Sequence, residues 1–265
     1  MIKFFRKIRQ KKLSENLPTG QAGKFSKYLL YAIGEIVLVV IGILIALSIN
    51  NWNQNQKTRN QETQIYLELK NDLIQTRNDI RETVTKHKKI FKSNQQLITD
   101  ICDKKPYSES IYEHFTSASA DFQIVPKTSA FENLKNIGLN TLSNDSLRIS
   151  ITNMFQLDLK RFDDELQMNS SGFTIPKFFV PFQMKYLIAD RSQPKNYGFK
   201  YSDSISIYRL KINAYDEFLN DNELLKSLQL VLFNRGKKID HEMETINAID
   251  KLIKKIDEEL KSRNQ

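Results

Sequence analysis

Apolar residues recur along the chain in two long helical stripes. In the first, Ile65, Leu69, Leu73, Ile80, Val84, Phe91, Ile98 and Ile101 are joined by Thr76, His87 and Asn94 at the polar positions of the same stripe. The spacing then alternates threes and fours, and neither proline nor glycine occurs from Asn53 to Cys102. That pattern predicts a long amphipathic helix with coiled-coil character. The second stripe is Leu225, Leu228, Leu232, Arg235, Ile239, Ile246, Ile249, Ile253, Ile256 and Leu260, on a helix expected over about Asn222 to Ser262. The simplest packing sets the two antiparallel, with the intervening residues 104–219 forming a smaller helical head.

Within the head the pattern predicts shorter elements. Lys104, Lys105 and Pro106 end the first long helix, and Ile111, Tyr112 and Phe115 mark a short piece after it. Ser129-Ala130-Phe131-Glu132 has the form of a capping box and opens a helix that Gly138 stops. Asn144 opens the next, whose stripe is Leu147, Ile151, Met154, Phe155, Phe162 and Leu166. Asn169–Lys177 is expected to be a loop. Phe178–Ala189 is apolar, interrupted by Pro181 and too short to span a bilayer; core is its expected role, an interaction patch the alternative. Residues 190–203 read as the longest loop, where Tyr197, Phe199 and Tyr201 are a candidate partner surface, and helix is expected again from Ser204 to Leu219. Asn220-Asp221-Asn222-Glu223 then caps the last helix. Strand signals are scarce, so the body is expected to be all-α.

A third apolar segment is of another kind. Leu29 to Ile49 is 21 residues with one charge, Glu35. At about 1.5 Å per residue it spans roughly 31 Å, the thickness of a hydrocarbon core. Trp52 follows among uncharged polar residues, as an interfacial anchor would. Nothing at 50–57 breaks a helix, so the span is expected to continue into the stalk. A cleaved signal peptide is the rival reading, since Ile36–Leu47 has the length of its apolar region and Ala46-x-Ser48 resembles a cleavage site. The long basic leader and Glu35 weigh against it. The expected divisions are a leader over 1–28, a transmembrane helix over 29–49, a stalk over 50–103, the head over 104–219 and the C-terminal helix over 220–265.

Charge supplies the orientation. The formal net charge is +9, but residues 1–27 hold eight basic side chains against Glu15, whereas residues 51–265 hold 32 basic and 29 acidic. The surplus lies before the span, which by the positive-inside rule keeps the leader in the cytoplasm and the body in the periplasm of a Gram-negative cell. Ile2, Phe5 and Ile8 share one helical face among basic residues, which suits an anionic leaflet or a plain topology signal. A nearly balanced body gives no reason to expect a nucleic-acid partner. One cysteine, Cys102, excludes an intrachain disulfide framework and a cysteine-based zinc cluster.

Candidate chemistry is sparse. There is no G-x-S-x-G, Walker-type, G-x-G-x-x-G or H-E-x-x-H motif, and His241-Glu242-Met243-Glu244-Thr245 has Thr where a zinc helix needs its second His. His87, His114 and His241 are far apart and are expected to be solvated. Asp163-Asp164-Glu165 and Asp257-Glu258-Glu259 diverge around their helices. Cys102 is expected to be a small buried hydrophobe. Within the span, Glu35 is either snorkelling at its cytoplasmic edge or paired with another helix, and Gly42-x-x-x-Ala46 is a small-xxx-small pattern for close helix approach. Glu35, Gly42, Ala46 and Trp52 are therefore the candidate membrane-interface and helix-pairing residues. No catalytic, cofactor or metal residue is implied.

The blocks Met1-Ile2-Lys3-Phe4-Phe5-Arg6-Lys7-Ile8-Arg9-Gln10, Lys27–Leu47 (containing Tyr31-Ala32-Ile33-Gly34-Glu35-Ile36) and Asn50-Asn51-Trp52-Asn53 resemble a family of uncharacterised bacterial single-pass membrane proteins, known only as a domain of unknown function. Looser similarity lies at Ser129–Lys135 with Gly138, and at Asn144–Arg148. Relative to the family's pattern, Leu17–Gly23 stands as an insertion. The resemblance implies inner-membrane residence and supplies no activity. The expected function is a non-enzymatic, membrane-anchored helical body that senses, scaffolds or binds a partner, self-associated through span and stalk and touching an unknown membrane or periplasmic protein. The alternatives are an exported ligand-binding or enzymatic domain with its site in the head, and an accessory subunit of a membrane transporter using Glu35.

Overall fold

The computed structural model describes residues 21–160 and 174–263. The basic leader through Gly20, the stripe positions Phe162 and Leu166, and the trio Asp163-Asp164-Glu165 lie outside the described residues. The chain divides into two compact units, residues 1–60 and 61–265. The described part of the first is helical and belongs to α1, which runs Gln21–Cys102. Every large apolar side chain described from Leu29 to Ile49 is exposed. This helix is long and apolar enough to cross a membrane.

The second unit is an all-α body with one small hairpin. Its frame is the remainder of α1 and the long helix α7 (Asn222–Arg263), packed against it. Cross-helix ion pairs fix the antiparallel sense: Lys70 meets Asp257 at 2.5 Å, Arg77 and Arg81 meet Asp250 at 2.7 and 3.0 Å, and His87 meets Glu242 at 2.9 Å. As one partner's number rises, the other's falls in step. Near the start of the unit Glu62 is buried and accepts from the Ser143 N–H, the Ser143 hydroxyl and the Arg263 guanidinium at 2.7, 2.9 and 2.6 Å. The end of α7 is thereby tied to the beginning of this unit's share of α1.

The buried face of α1 departs from the expected stripe in its second half. Ile65, Leu69, Leu73, Thr76, Ile80, Val84, His87, Asn94 and Ile101 are buried as the spacing predicts. Phe91 and Ile98 are only half-buried, and Ile90 and Leu97 take the inward positions. α1 ends with Lys104 in the left-handed region at φ 50°, where the Lys105 N–H returns to the Asp100 carbonyl at 3.0 Å.

Short elements fill the space between the long helices. α2 (Glu109–Ser117) is capped by Ser108, and α3 (Ser129–Ile137) is stopped by Gly138 at φ 113°, which favours glycine. The expected capping box at Ser129 does not form. Ser129 is already helical, Thr128 makes no side-chain cap, and a carboxylate of α1 acts instead: Asp72 accepts the Ala130 N–H at 2.8 Å. α4 (Asp145–Asn153) is capped by Asn144 as predicted and passes into a π-helical turn over Met154–Asp158. The wide turn lets the consecutive residues Met154 and Phe155 both face inward, with Phe155 stacked on Phe131 at 4.9 Å.

α5 (Ile175–Tyr186) buries Ile175, Phe179 and Tyr186; of the stretch Phe178–Ala189, Phe179 and Tyr186 take the expected core role, whereas Val180, Pro181, Met184 and Ile188 are exposed. The next segment corrects the sequence reading. The expected loop over 190–203 and helix from Ser204 are an antiparallel hairpin, β1 (Leu187–Phe199) and β2 (Ser202–Ile212). Leu187 pairs with Ile212 and Phe199 with Ser202, with irregularities between Asp190 and Pro194 and between Tyr197 and Phe199. Pro194 and Gly198 rule out a helix before the turn, and the run Ser-Ile-Ser-Ile-Tyr after it has the two-residue alternation of a strand. Only α6 (Tyr215–Asn220) remains of the helix expected there. Asp221 then caps α7, its Oδ1 accepting from the Glu223 and Leu224 N–H groups at 2.9 and 3.0 Å.

The buried apolar side chains form two separate cores. The first joins Ile65–Val84 of α1 to α3, α4 and Ile246–Ile256 of α7. The second joins Leu97 and Ile101 to α2, α5, Phe218 and Leu224–Val231. Ile90 and Ile239, both buried, belong to neither.

Candidate functional site

Between the two cores lies a layer of buried and half-buried polar and charged side chains. α1 contributes His87 and Asn94, α7 contributes Arg235, Lys238 and Glu242, and the connection from α2 to α3 contributes Asp121 and two carbonyls. His87, Asn94, Arg235 and Glu242 have no exposed surface. The positions follow from helical repeat: His87 and Asn94 are two turns apart on one face, as are Arg235 and Glu242 on the antiparallel partner.

His87 is held at both ring nitrogens. Nδ1 lies 2.9 and 3.1 Å from the two Glu242 oxygens, and Nε2 lies 3.1 Å from Asp121 Oδ1. The Phe122 ring packs against the imidazole at 5.6 Å. Asp121 also accepts from Lys238 Nζ at 2.7 Å and from the Phe122 N–H at 3.1 Å. A neutral imidazole has one N–H and one lone pair, whereas two ionised carboxylates offer only acceptors. The geometry therefore fits the imidazolium, which donates to both. Burial works against that charge, and the hydrogen bonds to Asp121 and Glu242 with the Glu242 charge outweigh it, so the His87 pKa is raised. Burial likewise opposes ionisation of Asp121, but the His87 bond and the Lys238 charge bring its pKa down to about 2.

The other half of the layer is incompletely paired. Arg235 Nη2 donates to the Ala118 and Ala120 carbonyls at 3.1 and 2.8 Å. Its Nε and Nη1, and both amide atoms of Asn94, are buried without a hydrogen-bond partner among the described residues. Each such group costs roughly 1–3 kcal/mol relative to a satisfied one.

The expectation of solvated histidines is thus wrong for His87, which two carboxylates and a layer of packing enclose. His114 on α2 and His241 on α7 are half-buried. Sequence reasoning missed Asp121, Lys238 and Glu242. The available signal was the coincidence of polar positions: His87 and Asn94 interrupt one stripe where Arg235 and the gap between Ile239 and Ile246 interrupt the other. Cys102 is exposed, not buried, because it falls in the last turn of α1 beside the inward-facing Ile101. The acids of 257–259 take separate partners: Asp257 pairs with Lys70, Glu258 with Lys254 at 4.0 Å, and Glu259 with Arg263 at 2.8 Å. Among the described residues no group of three or more His, Cys, Asp or Glu is arranged to hold a metal. Glu35, Gly42, Ala46 and Trp52 all lie exposed on α1. A cleft of about 290 Å³ beside the hairpin is lined by Tyr107, Glu109, Asp190, Arg209 and Tyr215. Its charges face one another, Arg209 on Glu109 and Lys211 near Asp190 at 3.5 Å.

Fold and site together define a helical bundle with a candidate membrane-spanning helix and a buried charged layer. The chain belongs to a family of unknown function, DUF6090, whose model matches residues 35–186. The match includes Glu35, Trp52, His87 and Asp121, and stops before the α7 half of the layer. No curated protein and no solved structure matches the chain.

Proposed function

We propose that the chain is a single-pass, signal-anchored protein of the bacterial inner membrane. Its leader is cytoplasmic and its helical body periplasmic, where the body senses or holds a partner protein. The observation that carries the reading is the contrast between the two units. The body buries its large apolar stripes, whereas the described segment from Leu29 to Ile49 leaves every large apolar side chain uncovered. An apolar surface of that extent is stable only against lipid or protein. The basic residues before it supply the orientation. Gly42-x-x-x-Ala46 and Glu35 are the contacts through which two copies, or a membrane partner, would meet the span.

Cys102 makes the test direct, because it is the only cysteine and is exposed. A membrane-impermeant maleimide added to intact spheroplasts is expected to label it without lysis, on a protein that sediments with membranes until detergent is added. Labelling only after lysis refutes the orientation, and release without detergent refutes the anchor.

A further inference from the structure

We propose that the buried layer at His87 is a proton-operated latch: the imidazolium joins α1, the α2–α3 connection and α7, and loss of its proton opens the layer to water while both cores stay packed. The inference deepens the sensing role and rests on that reading for its use in the cell.

Three features of the layer carry it. First, the two contacts by which His87 joins α1 to α7 and to the connection require the proton. Without it, one ring lone pair faces a carboxylate, either buried Glu242 or half-buried Asp121, and a hydrogen bond becomes a repulsion. Second, polar groups of the layer lack protein partners. Asn94 Nδ2 and Oδ1 and Arg235 Nε and Nη1 have no partner among the described residues, and water supplies partners to all of them. Third, apolar burial at this level is limited, with Phe91 and Phe122 only half-buried. Ile90 and Ile239 are the buried apolar residues here that lie outside both cores, so separation at this level leaves the main packing intact.

The charged groups around His87 set the direction of the response. From α7 come Glu242, Lys238 and Arg235, from the connection Asp121, and from α1 itself Lys86, which lies over the Phe122 ring at 5.3 Å. Lys238 opposes protonation, and the two carboxylates outweigh it. A raised folded-state value means the latch holds fully below the ordinary histidine range and releases as pH rises through that value.

The test uses the full-length protein in detergent micelles and hydrogen exchange by mass spectrometry from pH 5 to 10, corrected for intrinsic exchange. Peptides covering residues 87–94 and 235–242 are expected to lose protection at least tenfold across a single transition above the exposed-histidine range. Peptides covering 65–84 and 246–256 are expected to stay protected. Glu242→Gln replaces one carboxylate with an amide that can donate to a neutral imidazole, so the transition is expected to move down by about one pH unit or more. Uniform protection across the range, loss in step with the cores, or an unmoved transition in a folded E242Q protein overturns the latch. If E242Q does not fold, the His87 imidazole resonances of the unaltered protein decide: titration above about 6.5 supports the proposal, and titration at or below it overturns it. Cys102 labelling reports topology independently, so failure of the anchor and failure of the latch are separate results.

Discussion

Replacing Asn94 by Leu is expected to stabilise the protein. Asn94 is fully buried and neither amide atom has a hydrogen-bond partner among the described residues. Desolvating an unsatisfied polar group costs roughly 1–3 kcal/mol, and Leu of similar branching adds apolar burial worth about 1 kcal/mol or more. Some of this is offset by the extra volume and by the guanidinium of Arg235 in the same layer, since overpacking costs about 1–3 kcal/mol. The net expectation is about 2 kcal/mol. For a body of this size each kcal/mol moves Tm by about 2–4 °C, so the variant should melt about 6 °C higher. The assay is thermal denaturation of the full-length protein in detergent, followed by circular dichroism at a fixed scan rate. A lower Tm refutes the reasoning, because it means that the amide holds polar partners whose loss outweighs its own desolvation.

Other expectations follow from paired groups. Glu62→Ala removes the common acceptor of Ser143 and Arg263 and leaves Arg263 short of a buried partner; a loss of about 3 kcal/mol is expected, read as a lower urea midpoint at unchanged slope. Asp72→Ala uncaps α3 and should cost about 1–2 kcal/mol, with the earliest hydrogen-exchange loss at Ala130. Acid should unfold the body through Glu62, Asp121 and Asp221, all held below their ordinary range, the last two at about 2. For depressed carboxylates the stability is present above the unfolded value near 4 and is lost as pH falls toward the folded one. An acid titration by circular dichroism should therefore show helix loss below about pH 4. No change down to pH 2 would contradict the assigned ion pairs.

The long elements were legible because their information is local and repeated. Ile65 through Val84 and Ile246 through Leu260 each carry enough helical period to name the face, and Asn144, Gly138 and Asp221 mark ends that the structure keeps. The hairpin was harder. Its β1 strand contains Pro194 and Gly198, and strand pairing is a relation between segments that neither shows by itself. The layer at His87 was partly visible as polar interruptions in two apolar stripes. What a single stripe does not reveal is that Glu242 faces His87, or that Asp121, in a connection without periodicity, reaches its other nitrogen. The cap of α3 was misread at Ser129 for the same reason: the group that accepts the Ala130 N–H is a carboxylate 58 positions away.

The order of the long helices along the chain has a consequence for biogenesis. α1 is made well before α7, yet Leu69, Leu73 and Ile80 share their core with Ile249, Leu252 and Ile256. A ribosome moving toward Asn222 therefore leaves an extended greasy surface waiting for its mate, with the slow closure that distant contacts impose. Nascent chains of this protein should be clients of holding chaperones until α7 has been made, and polypeptides truncated before α7 should be prompt substrates for proteolysis.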